Sequence, residues 1–307
     1  MIPAEENFDN TFPFTPHFTT KPGFRMHYVD EGAGEPIVCL HGEPTWGYLY
    51  RKFIPPLAAT HRVIVPDHMG FGKSETPQDR EYTLRTHVEN LELLIEELDL
   101  EHITLVLHDW GGPIGGAFAV RNLERVKRLF LMNTIILPPP PLRDDFAPRL
   151  AASRWFQWVA KGQEEGFLQE VLGNLGSTVL SVMKFGGFEN TAAVDDAWVR
   201  AYSAPFSTKA ECVGAMAFPL DVIKAMTFQV GGSREFDALK RKPAMLAEGM
   251  RDHALPPDVA IDLFKEMFPH AAVIELPHAG HFCQEDEPQT LVALIQQFIH
   301  ASEPIGS

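Results

Sequence analysis

Short apolar runs separated by helical patterns set the rhythm of the first part of the chain. Residues 24–29 and 35–40 read as strands, the first after a Lys-Pro-Gly turn signal and the two parted by Gly32 and Gly34. Arg62–Pro66, residues 103–107 (ITLVL) and Val126–Met132 (VKRLFLM) read as three more. Between the third and fourth, Leu84, Val88, Leu91, Leu94, Ile95 and Leu98 recur at steps of three and four with glutamates on the other face. That spacing predicts an amphipathic helix. Apolar strands alternating with helices point to a mostly parallel sheet buried on both faces.

The rhythm breaks at Leu137. Pro138, Pro139, Pro140 and Pro141 can continue neither a strand ladder nor a helix. From there to about Phe228 the text is helical and aromatic, without clear strands. Strand signals return at 244–248 and 272–275, with a helix at Pro257–Met267 between them and a last amphipathic helix over 289–300. The economical organisation is one α/β core domain, residues 1–136 and 229–307, interrupted by a helical cap at 137–228.

With 307 residues the chain can bury a sizeable core. Its formal charge of -15 argues against nucleic acid and anionic membranes as partners. Cys39, Cys212 and Cys283 are odd in number and widely spaced, so no disulfide framework is indicated. Early acidic residues without an apolar run are unlike a secretory signal, and no stretch approaches a membrane span. The default expectation is a cytoplasmic monomer.

Leu105-Val106-Leu107-His108-Asp109-Trp110-Gly111-Gly112 ends a strand and opens a helix of small residues. Glycines there permit a sharp turn, the place where α/β hydrolases present their nucleophile, but with Asp109 where esterases carry serine. A carboxylate can attack an sp³ carbon and form an alkyl ester that water then cleaves. An aspartate here could also serve as the helix N-cap, a common role. Two further features separate these readings: His281, just after the last strand, where this fold sets its base, and Asp252, after the preceding strand, where an acid can orient it. Nucleophile, acid, histidine is the chain order of this fold. The loop His41-Gly42-Glu43-Pro44-Thr45-Trp46 faces the elbow and offers the Glu43 amide, with that of Trp110, as an oxyanion hole.

HGEPTW, GYLYRKFIPPL, PDHMGFGKS, HDWGG, LMN, AYSAPF and AGHF together resemble the haloalkane dehalogenases over nearly the whole chain from about Phe24. The resemblance is to the branch with Glu after His-Gly and its acid after the penultimate strand. It implies an α/β-hydrolase fold, Asp109 as nucleophile, His281 as base, Asp252 as orienting acid and the Trp110 indole as halide donor. The substrates would be a small haloalkane and water, with halide as product and neither cofactor nor metal. Another branch takes its acid after the LMN strand, where this chain has the neutral Asn133. A second halide contact would come from a cap tryptophan. Trp155 fits best, but Trp158 lies one turn further on the same face, and Trp198 is a third candidate.

Gly70-Phe71-Gly72-Lys73-Ser74 looks like the end of a phosphate loop, but Asp67 stands where glycine is required, so a structural turn is expected. His41, His108, His278 and His281 lack metal-ligand spacing. Glu285-Asp286-Glu287 reads as a solvated helix start before Pro288. An epoxide hydrolase would share the aspartate and the base, but relatives protonate the epoxide with cap tyrosines, and here only Tyr202 lies in the cap. A non-catalytic small-molecule receptor of the same fold would need no aligned base.

Overall fold

A computed structural model describes residues 1–140 and 142–303. Pro141, the last proline of the run, lies outside the described residues, as do 304–307. The strands are β1 (His17–Thr19), β2 (Met26–Gly32), β3 (Pro36–Leu40), β4 (Arg62–Pro66), β5 (Ile103–His108), β6 (Val126–Met132), β7 (Ala244–Arg251) and β8 (Ala272–Gly280). They form one sheet in the order β1-β2-β4-β3-β5-β6-β7-β8. The pairs β1–β2 and β2–β4 are antiparallel, and every later pair is parallel. β3 and β5 are buried along their full length, the fate of apolar strands with neighbours on both sides and helices on both faces.

Helices α1 (Ile54–Ala58), α2 (Leu84–Glu97) and α3 (Gly111–Arg121) lie between the strands of the first half. The connection from β6 to β7 carries α4 (Leu142–Ala151), α5 (Arg154–Glu165), α6 (Leu168–Val171), α7 (Leu175–Gly186), α8 (Asp196–Ser203), α9 (Val213–Thr227) and α10 (Ser233–Leu239). The C-terminal part adds α11 (Pro257–Met267), α12 (Cys283–Asp286) and α13 (Pro288–Ala301). Local signals set the ends. Thr83 caps α2 by accepting the Thr86 amide, Asp195 caps α8 through the Trp198 amide, and α7 stops at Gly187 with φ +118°. No described helix is long and apolar enough to cross a membrane.

The structure departs from the expectations in three places. β1 and α1 had no signal, being only three and five residues long. β8 runs on to Gly280 rather than stopping at Glu275, because Leu276 and Gly280 still pair with Gly249 and Arg251 of β7. Pro277 is tolerated since β8 is the sheet edge, where a missing N–H costs no ladder bond. The acidic run is not a solvated helix start. Glu285 is fully buried, paired with Arg51 and Lys52 and accepting the Tyr202 hydroxyl at 2.6 Å, which ties α8 to the core.

Candidate active site

The elbow is built by close approach. Asp109 takes φ +49°, a left-handed conformation that aspartate tolerates better than most residues. A Cβ at Gly111 would lie 2.3 Å from the Leu40 carbonyl oxygen, so only glycine lets α3 press onto β3 there. Asp109 does not cap α3. Its Oδ1 accepts the Glu43 amide at 2.7 Å, and the neighbouring Trp110 amide helps to lower the carboxyl's pKa. These are the two donors of the expected oxyanion hole. The Glu43 amide already holds one carboxylate oxygen in the place where negative charge would gather during hydrolysis of an ester.

The other oxygen, Oδ2, lies 3.3 Å from His281 Nε2, and His281 Nδ1 is 2.7 Å from Asp252 Oδ2. Asp252 is fixed in turn. Its Oδ1 accepts the amides of Ala254 and Leu255, and its Oδ2 accepts Asn133 Nδ2 at 2.9 Å. The His281 carbonyl accepts a ring N–H from His108 at 2.8 Å. Burial disfavours charge on His281, but Asp252 and Asp109 outweigh it and raise the imidazole well above its usual range. Burial likewise pushes Asp109 up, yet the bond and charge of His281 bring it below the usual carboxylate value. Both shifts favour the carboxylate–imidazolium form of the pair.

The cavity above Asp109 measures about 90 Å³ and is mostly apolar, with Leu137, Val182, Val222 and Phe282 among its walls. Trp110 lines it, its ring stacked on Phe218 at 4.7 Å and 8°. Of the three cap tryptophans, Trp155 lines the cavity. Trp158 stacks behind Trp155 at 5.3 Å, and Trp198 is buried against Phe188. No tyrosine lines the cavity among the described residues, and Tyr202 spends its hydroxyl on Glu285.

Two side chains carry more than sequence reasoning assigned them. Asn133, a neutral residue that cannot serve as the acid, instead supports it. Its Nδ2 holds Asp252, and its Oδ1 accepts the Gly249 amide at 3.0 Å, locking the tips of β6 and β7 together. Glu43, expected to act through its amide, also lines the cavity with a buried carboxyl whose Oε1 has no partner. Burial, and then the charge of Asp109, raise it well above the usual carboxylate range, which favours its neutral form. The motif His-Gly-Glu was visible; the direction of that side chain was not.

Residues 35–288 match the family model of the alpha/beta hydrolase fold, and the chain belongs to this family. It is similar to a haloalkane dehalogenase of Mycobacterium marinum, 36% identical over 92% of this chain and 93% of that protein. A tetrameric haloalkane dehalogenase of Paraglaciecola agarilytica superposes with a TM-score of 0.75 at 33% identity, covering 94% of this chain and 95% of the other. A cis-3-alkyl-4-alkyloxetan-2-one decarboxylase of Shewanella oneidensis is 32% identical over 97% of this chain and 92% of its own length.

Proposed function

We propose that the protein hydrolyses small haloalkanes to alcohol and halide through an alkyl ester on Asp109. The observation that carries this reading is a carboxylate at the elbow facing an apolar cavity, with the Trp110 indole in the same wall. Asp109 attacks the halogen-bearing carbon in line, the carbon–halogen bond breaks, and the halide leaves with the bonding pair toward Trp110 and Trp155. An indole N–H donates and has no acceptor lone pair to repel an anion. Alkylation cancels the charge on Asp109, one of the two charges that raise His281. The ring then yields its proton to solvent and becomes a base. His281, oriented by Asp252, deprotonates a water that attacks the ester carbonyl, and the oxyanion rests on the Glu43 and Trp110 amides. Alcohol leaves and Asp109 is regenerated. No step calls for a metal or cofactor.

The test is His281→Phe. It should release about one equivalent of halide per site and then stall, with turnover down by roughly 10³-fold and an alkyl adduct on Asp109 visible by mass. A wild type that dehalogenates while this variant carries no adduct overturns the scheme. The Shewanella relative supports a second reading. On an oxetanone, Asp109 would displace the ring carboxylate from its sp³ carbon, and loss of carbon dioxide would expel Asp109 and leave an alkene. That route needs neither water nor base, whereas His281 sits against Asp109. Incubation with bromoalkanes, epoxides and a cis-dialkyl oxetanone, scoring halide, diol and alkene, separates the readings. We further take the chain to be a cytoplasmic monomer. Its three cysteines are free and buried, and its exposed large apolar side chains are scattered. Sedimentation should give a mass of one chain, and a tetramer would overturn that part.

A further inference from the structure

Between α7 and α8 the chain turns through Gly187, Phe188, Glu189 and Asn190 and runs directly between the loop that carries Asp252 and the loop that carries His281. The Gly186 carbonyl accepts the amide of His253, next to the acid, at 2.9 Å. The Gly187 carbonyl accepts the amide of Phe282, next to the base, at 3.1 Å. The fit leaves no room for a side chain. A Cβ at Gly187 would stand 2.8 Å from the Arg251 carbonyl oxygen and 2.9 Å from the His281 nitrogen, and one at Gly280 would stand 2.4 Å from the Gly187 oxygen. Gly187 also has φ +118°, where L side chains are strained.

One carboxylate joins the turn to the loop of the base. Asp286 Oδ1 accepts the amides of Glu189 at 3.0 Å and Asn190 at 2.8 Å, and its Oδ2 accepts the amide of Gly280, the residue before His281, at 2.8 Å. Asp286 touches neither Asp109 nor the cavity, and the mechanism above gives it no role. We propose that Asp286 is a positioning residue that clamps the 187–190 turn onto the base loop and thereby sets the His281 ring for the second, hydrolytic half of the reaction. This rests on the two-step reading of the site. The first half needs Asp109 and the halide donors, none of which Asp286 contacts. The second half needs the imidazole aimed at a water, and its aim depends on the backbone between Gly280 and Phe282.

The prediction is a split between the two halves. Asp286→Asn keeps the shape but retains one acceptor oxygen, so either the turn or the Gly280 amide loses its partner. In this variant kcat should fall about 10- to 100-fold, the range that small misplacement of a catalytic group produces. KM should fall with it and kcat/KM should stay within about twofold, because a slower second step leaves the alkylation rate and substrate affinity untouched. The halide burst should keep its rate, and alkylated Asp109 should accumulate. Gly187→Ala should give the same signature from the other side of the clamp. If either variant folds poorly, the low-field proton resonance of the His281–Asp252 hydrogen bond, followed in the folded fraction, replaces the kinetics and should shift or vanish. A fall in kcat/KM matching that in kcat, or an unchanged kcat and resonance, overturns the proposal. A wild type that never forms the Asp109 adduct overturns the underlying reaction instead, so the two failures are distinct.

Discussion

Glu43 places a second carboxyl group beside Asp109, in a wall where its Oε1 has no hydrogen-bond partner. An ionised carboxylate there would be buried, unpaired and repelled by the nucleophile, so the neutral acid is the stable form. Ionisation of Glu43 at high pH would place a second negative charge in the cavity just as a halide must depart into it. Glu43→Gln keeps the shape, stays neutral and cannot ionise. Near pH 7 its halide burst should run within about threefold of wild type, and any loss of burst rate as the pH rises should be flattened. Stopped-flow halide release across pH checks this; a tenfold loss near neutrality would mean that the carboxyl itself, and not only its neutral state, is required. Asp109, His281 and Asp252 were readable from the chain because each follows a strand and their order is that of the fold. The Glu43 carboxyl and the Asn133 bridge were not, since both depend on which way a side chain turns once β3, β5, β6 and β7 have come together.

At the scale of elements, α5 shows where periodicity stops informing. Trp155 and Trp158 are three residues apart and lie on the same side of the helix, which spacing alone cannot resolve. The folded chain separates them: Trp155 lines the cavity, while Trp158 stacks on it and packs at a tilt against Phe167 and Phe185. If Trp155 shares the leaving halide with Trp110, Trp155→Phe removes one N–H donor while keeping an aromatic wall. Bromide affinity, measured by quenching of tryptophan fluorescence, should weaken by about tenfold, the worth of one hydrogen bond to a charged group. Trp158→Phe should leave it within about twofold. Equal losses in both variants, or none in either, would remove Trp155 from the site. The sheet strands were legible for a different reason: β4, β5 and β6 are apolar runs between helices, whereas the extension of β8 depends on pairing with β7 that no local pattern announces.

Across the whole molecule, function and acid stability draw on the same neutral imidazoles. His108 supports the His281 carbonyl, and His87 sits in an aromatic cluster, 4.8 Å from Phe218, the ring that stacks on Trp110. Burial lowers both, reinforced by His281 for His108 and by His41 for His87, to about 3 in each case. A histidine held neutral by the fold binds its proton more readily in the unfolded chain. Its contribution to stability is complete above about pH 6.5 and is lost as the pH falls toward 3. Each such group costs about 2 kcal/mol between pH 6.5 and pH 5, at about 1.4 kcal/mol per pH unit. His87 is the one to test because neither ring nitrogen has a hydrogen-bond partner and both are buried, so a ring of similar size can replace it without leaving a group unpaired. His87→Phe should therefore raise Tm at pH 7.5 and, in urea unfolding compared at pH 7.5 and pH 5, reduce the acid loss of stability by about 2 kcal/mol. An unchanged acid loss would show that His87 is paired or hydrated in solution, and would shift the origin of acid sensitivity to His108.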